Sequence, residues 1–268
     1  MDLIGSYKIE PYSSDRKNIS LIVHEGWLKY HTHSIVEFDV TDARKKIKNI
    51  NKKTGFKISF TGWIVKCVSQ VISENKTFNT FIHKKRKIIT FDDVDINIPV
   101  ERNVNGIIRP LIYIIRKANK KTVKEITNEI RKVQNEETDE SSQILGQKLS
   151  RIEKFVLNSP PFIKKLALLV MRNNAIQKKI HMGTAGVTAI GMKGNFPGTV
   201  IPMGGMATIL VVVGGIVKKP GVVKDKILIR EYLQLTITTD HELIDGGPLA
   251  RFVERLKELI ENSYELKE

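Results

Sequence analysis

The stretch that most constrains the fold lies near the carboxy terminus. Leu233-Gln-Leu-Thr-Ile-Thr-Thr239 alternates apolar and polar side chains, the period of a strand, and the chain then turns through Asp240-His241-Glu242-Leu243-Ile244-Asp245-Gly246-Gly247. Directly beyond, the period becomes helical. Leu249, Phe252, Val253, Leu256, Leu259 and Ile260 fall on one face, with Arg251, Glu254, Arg255, Lys257 and Glu258 opposite. A strand and a helix joined this tightly, each with an apolar face to bury, must share a core, so the chain is neither all-helical nor all-strand.

The same two periods recur upstream. Ser34–Val40 alternates over Val36, Phe38 and Val40 and predicts a half-buried strand. It runs into Thr41-Asp42, side chains suited to cap a basic helix from Ala43 to about Lys53, which Gly55 would end. Phe60, Ile64, Val65, Val68, Val71 and Ile72 recur at helical spacing, so Ile58–Ile72 reads as a largely buried helix. Short strands are expected at Phe78–Ile82 and Lys87–Phe91 around the polar turn His83–Arg86. Val94–Val100 alternates again, and Asn105-Gly106 predicts a tight turn into Ile107–Ile115. Thr122 opens a helix to about Thr138, and Ser142 to Ile180 reads mostly helical with a break at Pro160-Pro161. Further strands are expected at Gly186–Ile190, Ala207–Val213 and Lys226–Thr239. The order of elements predicts an α+β fold with a mixed sheet.

A length of 268 residues with 41% hydrophobic side chains supports a substantial core, and no repeat or Pro/Gly/Ser linker divides the chain. Cys67 is the one cysteine, which excludes an intramolecular disulfide and a multi-cysteine zinc site; it reads as a buried core thiol. The start, Met1-Asp2-Leu3-Ile4-Gly5, lacks a secretory pattern, and the apolar run Ala207–Val217 is shorter than the ~20 residues of a membrane span, so a cytoplasmic location is expected. Lys and Arg (44) outnumber Asp and Glu (29), a formal charge of +15. The basic residues fall in short groups without the aromatic interleaving of base-stacking surfaces, so no nucleic-acid partner is expected, and with the short apolar run no membrane partner is expected either. Solvated surface charge and an approach surface for a phosphorylated cofactor or acidic carrier both remain open.

His241 stands apart from the other five histidines because it sits where a strand ends and the chain turns. By itself, a His followed four residues later by Asp reads better as a hydrogen-bonded turn than as a site, and no second His or Cys lies at metal-ligand spacing. The wider pattern carries more. His241-Glu-Leu-Ile-Asp245-Gly246, with Ala250-Arg251-Phe252 downstream, resembles the His-x-x-x-Asp-Gly motif of chloramphenicol acetyltransferase and of the dihydrolipoyl acyltransferase catalytic domains of 2-oxo acid dehydrogenase complexes. Val36–Thr41 resembles the early strand of that family, Phe60–Cys67 its first long core helix, Asp95–Val100 through Gly106–Pro110 its central hairpin, and Gly183–Gly191 the strand that supplies a hydroxyl to the site. The matches are in family order from about Arg16 to Asn262.

The resemblance implies a chloramphenicol acetyltransferase-like two-layer fold, with residues 1–268 as a single acyltransferase catalytic domain. It also implies acyl transfer between coenzyme A and a dihydrolipoyl-type thiol, with coenzyme A or acyl-CoA as substrate and no metal. His241 would be the general base, since imidazole titrates near neutral pH. Thr188 would be the oxyanion donor, standing where the family carries a serine, although a β-branched residue in a strand needs no such role. Asp245 would order the site through a buried salt bridge to Arg16, and Gly246 would permit close approach beside it. His31 and His33 read either as channel-lining or as solvated loop residues. The family assembles as trimers with the histidine and the hydroxyl contributed by neighbouring subunits, so a homotrimer is expected.

The pattern departs from the family in several places. The match starts within the first twenty residues, so no lipoyl group is expected on this chain and a separate lipoyl-domain protein is implied. Glu242 replaces the usual Arg and Ala189 a frequent Asn, and the helical stretch 142–180 exceeds the family connection. The polar ending Asn262–Glu268 predicts an isolated trimer. Two other readings remain open: a small-molecule O-acetyltransferase of chloramphenicol acetyltransferase type, and a non-catalytic scaffold or regulatory binder.

Overall fold

The computed structural model describes residues 4–104, 107–135, 151–191, 196–203 and 205–267. In the amino-terminal part helix α1 (Ser14–Trp27) is followed by strand β1 (His31–Asp39) and then by helices α2 (Thr41–Thr54) and α3 (Phe60–Glu74). A hairpin of β2 (Thr80–His83) and β3 (Lys87–Thr90) follows, then β4 (Ile96–Val104), β5 (Ile107–Ile115) and α4 (Val123–Asn135). Helices α5 (Arg151–Asn158), α6 (Pro161–Asn173) and α7 (Ala175–Met182) lead into β6 (Ala185–Ala189), β7 (Ile209–Val223), β8 (Lys226–Asp240) and α8 (Gly246–Glu261).

The main sheet is mixed, in the order β1-β8-β7-β6-β4-β5, with β6 parallel to both β4 and β7 and the other pairs antiparallel. This is the α+β architecture that the sequence predicts. Phe38, Leu233, Leu235, Ile237, Val211 and Val213 point from the sheet into one core with Trp63, Ile64, Val68 and Ile72 of α3 and Phe252, Leu256 and Ile260 of α8. Trp63 is fully buried and its indole Nε1 donates to the Tyr264 carbonyl at 2.9 Å, tying α3 to the chain end. Trp63→Ala is expected to cost about 3–5 kcal/mol, checked by the shift of the denaturant midpoint at constant slope.

Several elements differ from the sequence reading in ways that have local causes. Thr41 and Asp42 do not cap α2: the cap position is Val40, and Thr41 Oγ1 instead donates to Asp39 Oδ1 at 2.6 Å and accepts from the Glu231 amide at 2.7 Å. Gly55 does end the helix, at φ 68°, a left-handed conformation glycine adopts without cost from a Cβ. Thr122 and Glu125 form a reciprocal capping box at the start of α4, the Thr122 amide donating to Glu125 Oε2 at 2.8 Å and the Glu125 amide to Thr122 Oγ1 at 3.2 Å. Strand β7 continues past Val213 to Val223 through a register irregularity at Gly214-Gly215, so the β7–β8 hairpin forms a long arm. Asn105-Gly106, Thr138 and residues 142–150 lie outside the described residues. Helix α6 has no buried residue; it rests on α1 through Lys164 Nζ, which donates to Asn18 Oδ1 at 2.9 Å, and the Arg172–Glu25 ion pair at 3.5 Å.

Candidate active site

Strand β8 ends at Asp240 because the next residues wind into a turn: the amides of Leu243 and Ile244 both donate to the Asp240 carbonyl, at 3.1 and 3.0 Å. His241 is the first residue of that turn. Its own amide donates to the Tyr30 carbonyl at 2.7 Å, so the backbone is held while the side chain projects outward, 49% exposed. Rigid backbone and accessible imidazole are what a general base requires.

Asp245 reaches His241, with its Oδ1 3.8 Å from the imidazole Nδ1, beyond hydrogen-bond length. The expected buried bridge from Asp245 to Arg16 is not formed within the chain: the Asp245 side chain is 85% exposed, Arg16 is exposed on α1, and no ion pair joins them among the described residues. Asp245 occupies the N-cap position of α8 but its side chain makes no cap hydrogen bond. Gly246 is exposed at the helix start, and a Cβ there would meet nothing within 4 Å, so the chain fold does not itself require glycine at 246.

The buried carboxylate of this region is Asp240, one residue earlier. It is 3% exposed and accepts from Lys29 Nζ at 2.5 Å. Neither residue stood out in the sequence, because an aspartate at a strand end and a lysine before a tyrosine are ordinary surface patterns; the one signal was that Asp240 directly precedes the histidine. Lys178 of α7 is also buried here, stacked 4.4 Å over the Phe81 ring, and burial, reinforced by Lys29, pushes its ammonium down to about 8. His31 and His33 lie on β1 rather than in a loop. His31 pairs with Asp240 in the strand register and is half-buried, with burial and then Lys29 holding its pKa below the ordinary value; His33 Nδ1 lies 2.9 Å from Thr238 Oγ1.

Thr188 sits on β6, half-buried, and no hydrogen bond occupies its hydroxyl among the described residues. The register places it opposite Val212 and, across β7, level with Thr236, so His241 lies two strands over and five residues further along. At ~3.3 Å per residue and ~4.8 Å per strand the separation is about 19 Å. One chain therefore does not bring its own Thr188 and His241 to a shared atom.

Past Thr188 the backbone approaches β7 so closely that a Cβ on Gly191 would lie 1.8 Å from the Gly214 carbonyl oxygen. Gly191 and Gly214 line a recess that also includes Arg44, Phe60 and Lys218. Beside it, sharing Arg44, Phe60 and Ile216, opens a pocket of about 600 Å³ lined further by Lys48, Asn51, Lys52 and Lys57. Arg44 is paired with Glu231 at 2.8 Å, whereas Lys48, Lys52 and Lys57 have no carboxylate partner among the described residues. Cys67 is fully buried in α3, where burial pushes its thiol pKa upward, far from any role as a nucleophile at neutral pH. Among the described residues no helix is long and apolar enough to cross a membrane.

The family described as 2-oxoacid dehydrogenases acyltransferase (catalytic domain) matches residues 5–144 and 162–267, leaving out the end of the segment before α5 and α5 itself. The chain is 27% identical over 237 residues to the lipoamide acyltransferase component of the branched-chain alpha-keto acid dehydrogenase complex of Bacillus subtilis (strain 168), covering 87% of this chain and 47% of that protein. It thus spans about half the length of that relative. The solved structure of dihydrolipoamide acetyltransferase from Azotobacter vinelandii superimposes with a TM-score of 0.72 at 16% identity, over 99% of this chain and 96% of that one. A probable dihydrolipoamide acetyltransferase from Listeria monocytogenes gives 0.68 at 20% identity, over 97% and 96%. At these identities the structural likeness establishes the fold.

Proposed function

Because the chain belongs to the family of 2-oxoacid dehydrogenase acyltransferase catalytic domains, we propose that it moves an acyl group between coenzyme A and a dihydrolipoyl-type thiol, as one catalytic domain over residues 1–268. The observation that carries this reading is the presentation of His241: a backbone fixed by the Tyr30 carbonyl and an imidazole open to a ligand. In the reaction the His241 imidazole takes the proton of the attacking thiol. The thiolate adds to the thioester carbonyl, and the hydroxyl of Thr188 donates to the oxygen that gains charge. Collapse of the tetrahedral adduct breaks the original C–S bond, and the departing thiolate recovers the proton from the imidazolium. Asp245, exposed and with its Oδ1 3.8 Å from Nδ1, is not a proton relay in this reading.

The donor and the base belong to neighbouring copies in this reading, in a homotrimer. Two features support it: the separation of about 19 Å between Thr188 and His241 in one chain, and the exposed Val222, Ile227 and Ile229 on the β7–β8 arm, an apolar surface of the kind that subunit contacts cover. The acyl-bearing partner is a lipoyl-domain protein. The lysine-lined pocket beside the end of β6 suits the phosphates of coenzyme A, and it gives part of the +15 charge a use. Lys48→Gln combined with Lys52→Gln is expected to raise the KM for coenzyme A about tenfold with kcat unchanged. An unchanged KM would remove the pocket from the account.

The deciding experiment is release of free thiol from acetyl-CoA. Turnover with dihydrolipoamide supports the proposal, turnover restricted to an aromatic alcohol would make the protein a small-molecule O-acetyltransferase, and no turnover with either would make it a binding protein.

A further inference from the structure

The turn that carries His241 is tied down by a buried ion pair that nothing in the motif announces. Asp240 uses both carboxylate oxygens: Oδ1 accepts from the Glu242 amide at 3.2 Å, on the far side of His241, and Oδ2 accepts from Lys29 Nζ at 2.5 Å. The ammonium is in turn 3.3 Å from the Met206 carbonyl and 3.5 Å from that of Ala207, so its three donors have three acceptors in a pocket where the lysine is 13% exposed. Tyr30, the residue after Lys29, accepts the His241 amide at 2.7 Å. The α1–β1 junction, the approach to β7 and the end of β8 are therefore fastened at one point, and His241 lies between the two fastenings, bonded directly by one and bracketed by the other.

We propose that Lys29 is a positioning residue for the catalytic histidine: its ion pair with Asp240 holds the His241 turn against the α1–β1 junction. The inference rests on His241 being the base of the proposed reaction. It assigns to Lys29–Asp240 the ordering role that the motif would place on Asp245 and Arg16, which do not meet within the chain. A surface pair could not do this, because long exposed side chains pay entropy for a weak attraction. Lys29 and Asp240 are buried, and the interaction is fixed by further hydrogen bonds on both partners.

The test uses the full chain with acetyl-CoA and dihydrolipoamide, comparing wild type, His241→Ala, Lys29→Met and the double variant Lys29→Met/Asp240→Asn. The double variant removes both charges of the pair, so it separates loss of the tether from the cost of an orphaned Asp240 carboxylate. A displaced base is expected to lower kcat about 10²-fold, with both KM values little changed, in Lys29→Met and equally in the double variant. A kcat near wild type in either folded variant would overturn the proposal, and the double variant decides alone if Lys29→Met does not fold. A second readout does not depend on turnover. The imidazole resonance of His241, identified by its disappearance in His241→Ala, is expected to shift or broaden in the double variant; an unmoved resonance would equally overturn the proposal. If wild type transfers no acyl group while that resonance moves, the proposed reaction fails and the tether stands.

Discussion

His241→Ala is expected to lower kcat for transfer between acetyl-CoA and dihydrolipoamide by about 10³-fold, within the range set by loss of a positioned general base. The neighbouring titratable side chains among the described residues are otherwise engaged. His31 pairs with Asp240 in the sheet and is half-buried, His33 is engaged with Thr238, and Lys178 stacks on Phe81 in the interior. The fold should tolerate the change, because the imidazole is 49% exposed and the bond to the Tyr30 carbonyl comes from the backbone amide, which alanine keeps. An intact melting temperature with kcat reduced by less than about tenfold would exclude His241 as the base.

Thr188→Val should lower kcat by about 10²-fold or more, the usual loss on removing one oxyanion donor, with KM little altered. Valine keeps the branched shape and the strand preference of threonine, so the β6 pairing to Val212 survives and only the hydroxyl is lost. Thr188→Ser supplies the hydroxyl without the methyl group and should retain most of the wild-type rate. A rate for Thr188→Val equal to that of wild type would assign Thr188 to the strand alone.

The parts of the fold that were legible in the sequence are those where one local period persists. The alternation into β8 and the helical stripe of α8 read directly because the apolar face of each packs into the same core, although the polar face of β8, with Gln234, Thr236 and Thr238, is buried too. The end of β7 did not: Gly214-Gly215 interrupts the alternation, and the strand continues because β8 keeps pairing with it beyond the irregularity. Thr41 looked like a helix cap, but the carboxylate of Asp39 and the amide of Glu231 compete for its hydroxyl, and Glu231 is remote in sequence. The site divides the same way. His241 and Asp245 are local, four residues apart, and the structure keeps them near each other. Lys29 and Asp240 are separated by most of the chain, so their pairing depends on how β1 lies beside β8 and has no sequence signature. The distance between Thr188 and His241 follows from register across three strands, which only the assembled sheet supplies.

A site shared between copies makes one further demand. Two inactive variants, His241→Ala and Thr188→Val, should restore each other when co-assembled, because an interface that takes its histidine from one variant and its threonine from the other is complete. Subunit complementation is the most direct measurement of this. Unfolded and refolded together in equal amounts, the two variants are expected to regain about a quarter of wild-type activity for random assembly, whereas each refolded alone stays inactive. Activity of the mixture no greater than that of the separate variants would contradict a catalytic site built from His241 of one subunit and Thr188 of its neighbour.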